Sequence, residues 1–263
     1  MGFDPHTPIA DVLAETRRTE TTSLVAQVHD ALRTAIVEVR LAPGRPLSDR
    51  EIAAHFGISK TPVREALLRL VEERLVVVAP RSGTRVAPID IERFKEGCFA
   101  RFHLERAAVM RAAELRTDRD VIGLRASFSR QKEVLGASDF WSFFLCDEQF
   151  HALIFEAAGL GGLVPVIKAT KVEVDRIRSL RNRLGIRRID EVMREHEEII
   201  EAIALRDPER AARAIENHLG DVDRKVWQLG EDHRLWDFIQ AASGGGKPGA
   251  RAPEPLPREA AQT

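Results

Sequence analysis

The chain has 263 residues, 44% hydrophobic and 31% charged, with a formal net charge of −1. That size and apolar content fit one large packed domain or two ordinary ones and exclude a wholly disordered polymer. Near-neutral charge excludes a polycation, so a nucleic-acid partner has to be argued from local pattern.

Between Arg17 and Ala87 there are 12 Lys and Arg against 8 Asp and Glu, a modest basic excess. Cys98 and Cys146 stand alone and suggest no disulfide framework. No apolar run reaches the ~18 residues a membrane span needs. The polar stretch Met1–Glu20 does not read as a signal peptide. The expectation is a cytoplasmic protein with no membrane contact.

Residues 1–19 read as a flexible extension. A first domain is expected over 20–88. Its first helix, about Ser23–Val37, carries Leu24, Val28, Ala31, Leu32, Ala35 and Ile36 on one stripe. Ala42-Pro43-Gly44-Arg45-Pro46 breaks it. Ser48 and Glu51 form a capping box that opens a second helix, burying Ile52, Ala53 and Phe56, and Gly57 closes it. Thr61 as N-cap and Pro62 at the first helical position open a third helix, with Val63, Ala66, Leu67, Leu70 and Val71 inward. Val76–Val78 and Thr84–Val86 read as two strands around Pro80-Arg81-Ser82-Gly83. Two helices about a Gly turn followed by a basic hairpin have the shape of a winged helix-turn-helix.

The partner this shape implies is duplex DNA. The candidate contacts are Arg50, Ser59, Lys60, Thr61, Arg64, Arg81 and Gly83. Lys60, Thr61 and Arg64 lie near the start of the third helix and away from its apolar side, where recognition helices reach base edges. Arg50 reads equally as a base contact, a phosphate contact or a solvated charge.

The segment PGRPLSDREIAAHFGISKTPVREALLRL resembles the N-terminal winged helix of GntR-type transcriptional regulators, and the resemblance covers about residues 20–87. It implies that Arg50, Lys60 and Arg64 sit at base-contacting positions and Gly83 at the wing tip. The chain departs from the usual form with Asp49 for Glu and Lys60 for Arg. Lys keeps the charge but lacks the bidentate fork.

Residues 89–233 read as an all-α bundle, with helices near 91–115, 119–135, 139–158, 161–182, 189–205 and 208–230. Asp147 and His151 are i, i+4 on the apolar face that carries Phe144 and Ile154. His196 and His218 sit on apolar faces of the last two helices. His196 lies eleven residues before Asp207 and His218 eleven after it. In an antiparallel pair both are then about 16 Å from the turn, at one level. One carboxylate and three imidazoles facing one interior suit a divalent cation, Zn, Ni, Mn or Fe rather than Ca. The alternative is that each His satisfies a hydrogen bond in the core, the reading kept for His6, His29, His55, His103 and His233.

FLCDEQFHALIFEAAG and REHEEIIEAIALRDPERAARAIENHL resemble the FCD effector domain of the FadR branch of those regulators. The resemblance implies a bundle of six or seven helices, a metal held by Asp147, His151, His196 and His218, and a small carboxylate effector met by Arg101. Arg101 reads equally as an i, i+4 ion pair with Glu105. Gly159-Leu160-Gly161-Gly162 replaces the family's usual Gly-Asn.

The expected fold is thus mainly α, and residues 234–263 read as a largely disordered tail. The expected function is a ligand-controlled DNA-binding regulator, a homodimer on a palindromic operator, with repression the commoner outcome in the family resembled. It is not expected to be an enzyme. A metal-dependent hydrolase, or an architectural DNA binder with a purely structural bundle, are the competing readings.

Overall fold

Three side-chain oxygens fix where key helices begin. Ser23 Oγ accepts from Ala26 N–H at 3.2 Å, Ser48 Oγ from Glu51 N–H at 3.3 Å, and Asp207 Oδ1 from Arg210 N–H at 2.9 Å. Each satisfies a backbone donor that a helix start leaves without an intrahelical partner. The computed structural model describes residues 7–14, 23–79, 83–136, 140–186, 188–220, 229 and 233–242. Among these, no helix is long and apolar enough to cross a membrane.

Two compact units emerge. The first takes the chain up to Asp90 together with Asp175–Leu180 and the segment from Asp232, so the division is not the linear one read from the sequence. It contains α1 (Ile9–Leu13), α2 (Leu24–Val37), α3 (Asp49–Phe56), α4 (Lys60–Glu72) and an antiparallel hairpin, β1 (Val76–Ala79) and β2 (Gly83–Val86). Val28, Leu32, Ile36, Ile52, Val63 and Leu70 are wholly buried and form its core. Gly57 ends α3 in the left-handed region, φ 63°. The hairpin is tied to the α2–α3 loop. Leu47 N–H donates to Thr84 O and Val86 N–H to Arg45 O, both at 2.9 Å.

Several expectations change. The N-cap of α4 is Ser59, not Thr61, and the helix starts at Lys60. Pro62 is then third in the helix, still within the turn whose N–H groups have no intrahelical acceptor. Leu24, expected on the buried stripe, is 45% exposed, and Val71, expected inward, is half-buried. The extension read as flexible holds α1. Its Ile9, Val12 and Leu13 are buried, and Arg40 and Arg45 donate to the carbonyls of Val12 and Thr7. Five residues are too few for a helical period to show. The wing-tip residue Arg81 lies outside the described residues.

His29 and Arg33 on α2 converge on Glu73 at the end of α4, His29 Nε2–Oε1 at 2.5 Å and Arg33 Nε–Oε2 at 2.8 Å. The Glu73 hydrogen bond outweighs burial and raises the His29 pKa above its ordinary 6.5. Burial raises the Glu73 carboxyl, but His29 and Arg33 outweigh it and hold the pKa below 4.5.

The second unit contains α5 (Ile91–Leu115), α6 (Asp118–Gly136), α7 (Phe140–Ala157), α8 (Val164–Thr170), the ends of α9 (Val172–Arg183), α10 (Ile189–Ala204) and α11 (Pro208–Leu219). Leu124, Phe150, Ile154, Ile199, Ile203 and Ile215 build its core. The single helix expected over 161–182 is instead a 3₁₀ turn, Gly161–Leu163, then α8 and α9, broken at Lys171. Gly161 and Gly162 favour helix poorly. At the α8–α9 joint α5 comes very close: a Cβ added at Gly97 would lie 2.8 Å from Thr170 O. α11 ends at Leu219, capped by Gly220, and not at 230; residues 221–228 lie outside the described residues. α12 (His233–Ala242), which belongs to the first unit, occupies the start of the expected tail, with Leu235 and Ile239 buried; 243–263 are not described.

Gly97→Ala is expected to destabilise the second unit by about 1–3 kcal/mol, since backbone must shift to admit the methyl. An unchanged denaturation midpoint would contradict the close approach. The His29–Glu73 pair sets a pH dependence. A raised His29 pKa gives stability that is complete below 6.5 and lost as pH rises through the folded value. A lowered Glu73 pKa gives stability present above 4.5 and lost as pH falls through its folded value. His29→Gln should therefore remove the fall in first-unit melting temperature above about pH 6.5; an identical pH profile in the variant would refute the linkage.

Candidate metal centre and nucleic-acid interface

The helix pattern carries four polar side chains into the second unit's interior. Asp147 and His151 lie one turn apart on α7, His196 on α10 and His218 on α11. All four are buried, and one ligand atom from each lies within 4.8 Å of the others. The equal spacing from Asp207 is realised: the His196 and His218 rings are 4.7 Å apart. His151 Nε2 is 3.2 Å from His218 Nε2, and Asp147 Oδ1 is 3.5 Å from His196 Nε2 and 4.0 Å from His151 Nε2.

A surrounding set of acceptors fixes the tautomers. His151 Nδ1 is 2.8 Å from Glu105 Oε2, His196 Nδ1 is 2.8 Å from Gln131 Oε1, and His218 Nδ1 is 2.9 Å from Glu195 Oε2. The amide nitrogen of Gln131 donates to Cys146 O, which leaves its oxygen for His196. Carboxylate and carbonyl oxygens only accept, so His196 and His218 carry the proton on Nδ1; Arg101 Nη2, 3.0 Å from His151 Nε2, can only donate, so each of the three Nε2 atoms keeps a lone pair. Three imidazole lone pairs and a carboxylate oxygen therefore converge. Donors sharing one ion at about 2.0–2.2 Å lie roughly 3–4 Å apart; three pairs here lie at 3.2, 3.5 and 4.0 Å and all within 4.8 Å, so small inward shifts would let this set hold a divalent cation. Burial and the neighbouring His196, His151 and Arg101 push the His218 pKa well down, which keeps it the neutral ligand form.

Both readings of Arg101 have a counterpart in the geometry. Its Nε donates to Glu105 Oε1 at 2.6 Å, the i, i+4 pair. Its Nη2 lies 3.0 Å from His151 Nε2, so the guanidinium also borders the four-residue cluster. Burial disfavours its charge, but Glu105, Asp147 and Glu148 outweigh that and raise its pKa. Burial likewise raises Glu105, yet Arg101 and His151 hold it far below the usual carboxylate range. Arg101, Glu105 and His151 line a cleft whose other walls are Phe155, Ile167 and Lys171, the last paired with Glu148 at 2.6 Å.

In the first unit, Arg50, Ser59, Lys60, Thr61, Arg64 and Gly83 are all exposed. Gly83 has φ 78°, a conformation that favours glycine. Val63, Ala66, Leu67 and Leu70 turn inward on α4, leaving Lys60, Thr61 and Arg64 outward. Asp49 joins them. Arg64 Nε and Nη2 each lie 2.9 Å from its Oδ2, and Lys60 Nζ is 3.7 Å from its Oδ1. Desolvation raises the Asp49 pKa, but Arg64 and Lys60 outweigh it and the carboxyl stays below its ordinary range.

The sequence reading did not single out Gln131, Glu195 or Asp49 as site residues. Gln131 carried a signal, since it continues the Leu124, Phe128 stripe of α6 and is wholly buried there. Glu195 and Asp49 are charged residues in charged surroundings and carried none.

Residues 24–86 match the family of bacterial regulatory proteins called gntR, and residues 96–221 match the FCD domain. The chain is 30% identical over 222 residues to the HTH-type transcriptional repressor RspR of Escherichia coli K12, covering 84% of this chain and 97% of that protein. It is 31% identical over 206 residues to a probable D-xylose utilization operon repressor of Paenarthrobacter nicotinovorans, covering 78% and 90%. Its fold resembles E. coli McbR/YncC, with a TM-score of 0.65, 24% identity and coverage of 76% and 94%. A putative GntR regulator from Rhodococcus sp. RHA1 gives 0.62 at 21% identity, covering 86% and 100%. The chain belongs to the GntR family: it is a DNA-binding transcription regulator with a winged helix-turn-helix domain and an FCD domain.

Proposed function

We propose that this regulator is a repressor whose operator affinity is set by a small carboxylate bound beside a divalent cation in the FCD domain. The observation that carries the reading is the convergence of the Asp147, His151, His196 and His218 ligand atoms. A cation there would neutralise the buried carboxylate and offer open coordination to an anion. Glu105, Gln131 and Glu195 hold the imidazoles with Nε2 inward, the usual outer-shell role. Arg101 borders the cleft and is the candidate effector contact. His151 Nε2 has one lone pair, so when that lone pair is spent on an ion, the Arg101 Nη2 N–H is released towards the cleft. Two relatives, the E. coli repressor RspR and the probable D-xylose utilization operon repressor, support repression.

For DNA, Arg50, Ser59, Lys60, Thr61, Arg64 and Gly83, with Arg81, are the proposed contacts. One winged helix reads few base pairs, so a homodimer on a palindromic operator is the form that gives specificity. The effector acts by favouring one dimer geometry by a few kcal/mol.

A thermal-shift screen of small carboxylic acids, with and without added metal, tests the whole reading. It expects a shift with metal alone and a further shift with one acid class; no response to any metal or acid favours an architectural binder. His196→Ala is expected to abolish metal retention on dialysis. Gln131→Leu is expected to cost about 10–100-fold in metal affinity by chelator competition; wild-type affinity would contradict the outer-shell role. Arg64→Ala should weaken specific binding by about 1–3 kcal/mol, and unchanged operator affinity removes Arg64 from the reading set.

A further inference from the structure

One carboxylate, Asp49 at the start of α3, holds two cations of the recognition helix, Lys60 and Arg64. The arrangement at Arg64 is specific. Its Nε and Nη2 both meet Asp49 Oδ2 at 2.9 Å, so the side edge of the guanidinium is engaged. A guanidinium has five N–H groups. With Nε and one Nη2 hydrogen used by Asp49, both Nη1 hydrogens and the second Nη2 hydrogen remain. These form the end-on fork that pairs with the O6 and N7 of guanine. The Arg64 side chain is 67% exposed, so that fork faces solvent, while the Asp49 side chain is only 28% exposed and is fixed on the neighbouring helix.

We propose that Asp49 is a positioning residue for base recognition: it braces Arg64 side-on so that its free edge meets a guanine, and its charge weakens sequence-independent binding to phosphate. The first effect spends ordering entropy before DNA arrives. A braced long side chain has less freedom to lose on contact, which favours a site that uses the fork. The second effect is electrostatic. A carboxylate beside Lys60 and Arg64 offsets part of the attraction every phosphate feels, and that attraction supplies most non-specific affinity. Phosphate contacts position and base contacts specify, so the two effects together exchange raw affinity for discrimination. An exposed ion pair adds little to folding stability, so a purely stabilising role does not account for this geometry.

The inference rests on Arg64 being a base-reading residue, and the test separates the two claims. The full-length protein and its Asp49→Asn, Arg64→Ala and double variants are each equilibrated with a pool of short duplexes whose centre is randomised. Affinity for the unselected pool is read across a salt series, and base preference is read by sequencing the bound fraction. Asp49→Asn keeps the side-chain volume and helix-start polarity. It is expected to bind the unselected pool more tightly with a steeper salt dependence. It should also lose at least about fivefold in preference at one base pair of each half-site. Arg64→Ala should flatten the same base pair, and Asp49→Asn should add almost nothing in that background.

If Arg64→Ala flattens the preference and Asp49→Asn does not, the brace is wrong while the reading of Arg64 stands. If Arg64→Ala leaves every preference intact, the reading of Arg64 fails and the brace with it. If Asp49→Asn changes base preference equally with and without Arg64, Asp49 works by another route and the inference is overturned. Melting temperature measured alongside separates any folding loss, which would lower affinity for selected and unselected DNA alike.

Discussion

Lone pairs inside an apolar bundle are the constraint around which the second unit is organised. A buried carboxylate costs several kcal/mol unless a cation or donors compensate it. Here Asp147 sits wholly buried among three imidazoles, and each imidazole presents the same kind of atom, a neutral nitrogen with an electron pair. Glu105 on α5, Gln131 on α6 and Glu195 on α10 hold the opposite ring nitrogens. Two helices that contribute no proposed ligand, α5 and α6, therefore still bear on which way the ligands face. The turn at Asp207 does the remaining work, since its N-cap bond and Pro208 start α11 at the point that levels His218 with His196.

The first unit follows a different logic. Its core is apolar, its caps are local, and the charged side chains of α4 face out. On the proposed reading of Arg64, discrimination there depends on how exposed cations are oriented, not on how buried ones are compensated. The Asp49 carboxylate orients two of them, and the wing is fixed by backbone bonds to the loop between α2 and α3. In the proposed function both bear on what the surface can read.

The legible parts of the sequence were those with local causes. Ser48, Gly57, Asp207 and Pro208 marked helix ends because capping is decided within a few residues. The D-x-x-x-H spacing and the matched distances from Asp207 placed four residues together because helical rise is constant. The misses were tertiary. Ser59 displaced Thr61 as N-cap because Lys60 and Thr61 are already helical. The break at Lys171 does not follow from helix propensity, which Lys favours; it lies where α5 meets α8 across Gly97. The partners of the histidine Nδ1 atoms are 65 residues away for His196 and 23 for His218, beyond any periodic pattern.

The central claim is that Asp147, His151, His196 and His218 form one cation site. Titrating metal-stripped full-length protein with a divalent ion and recording X-ray absorption at the ion's edge tests it most directly. The account predicts saturation at one ion per chain, with a coordination shell holding three imidazoles and a carboxylate oxygen. Absence of a saturable site, or a shell lacking imidazole scattering, would contradict it.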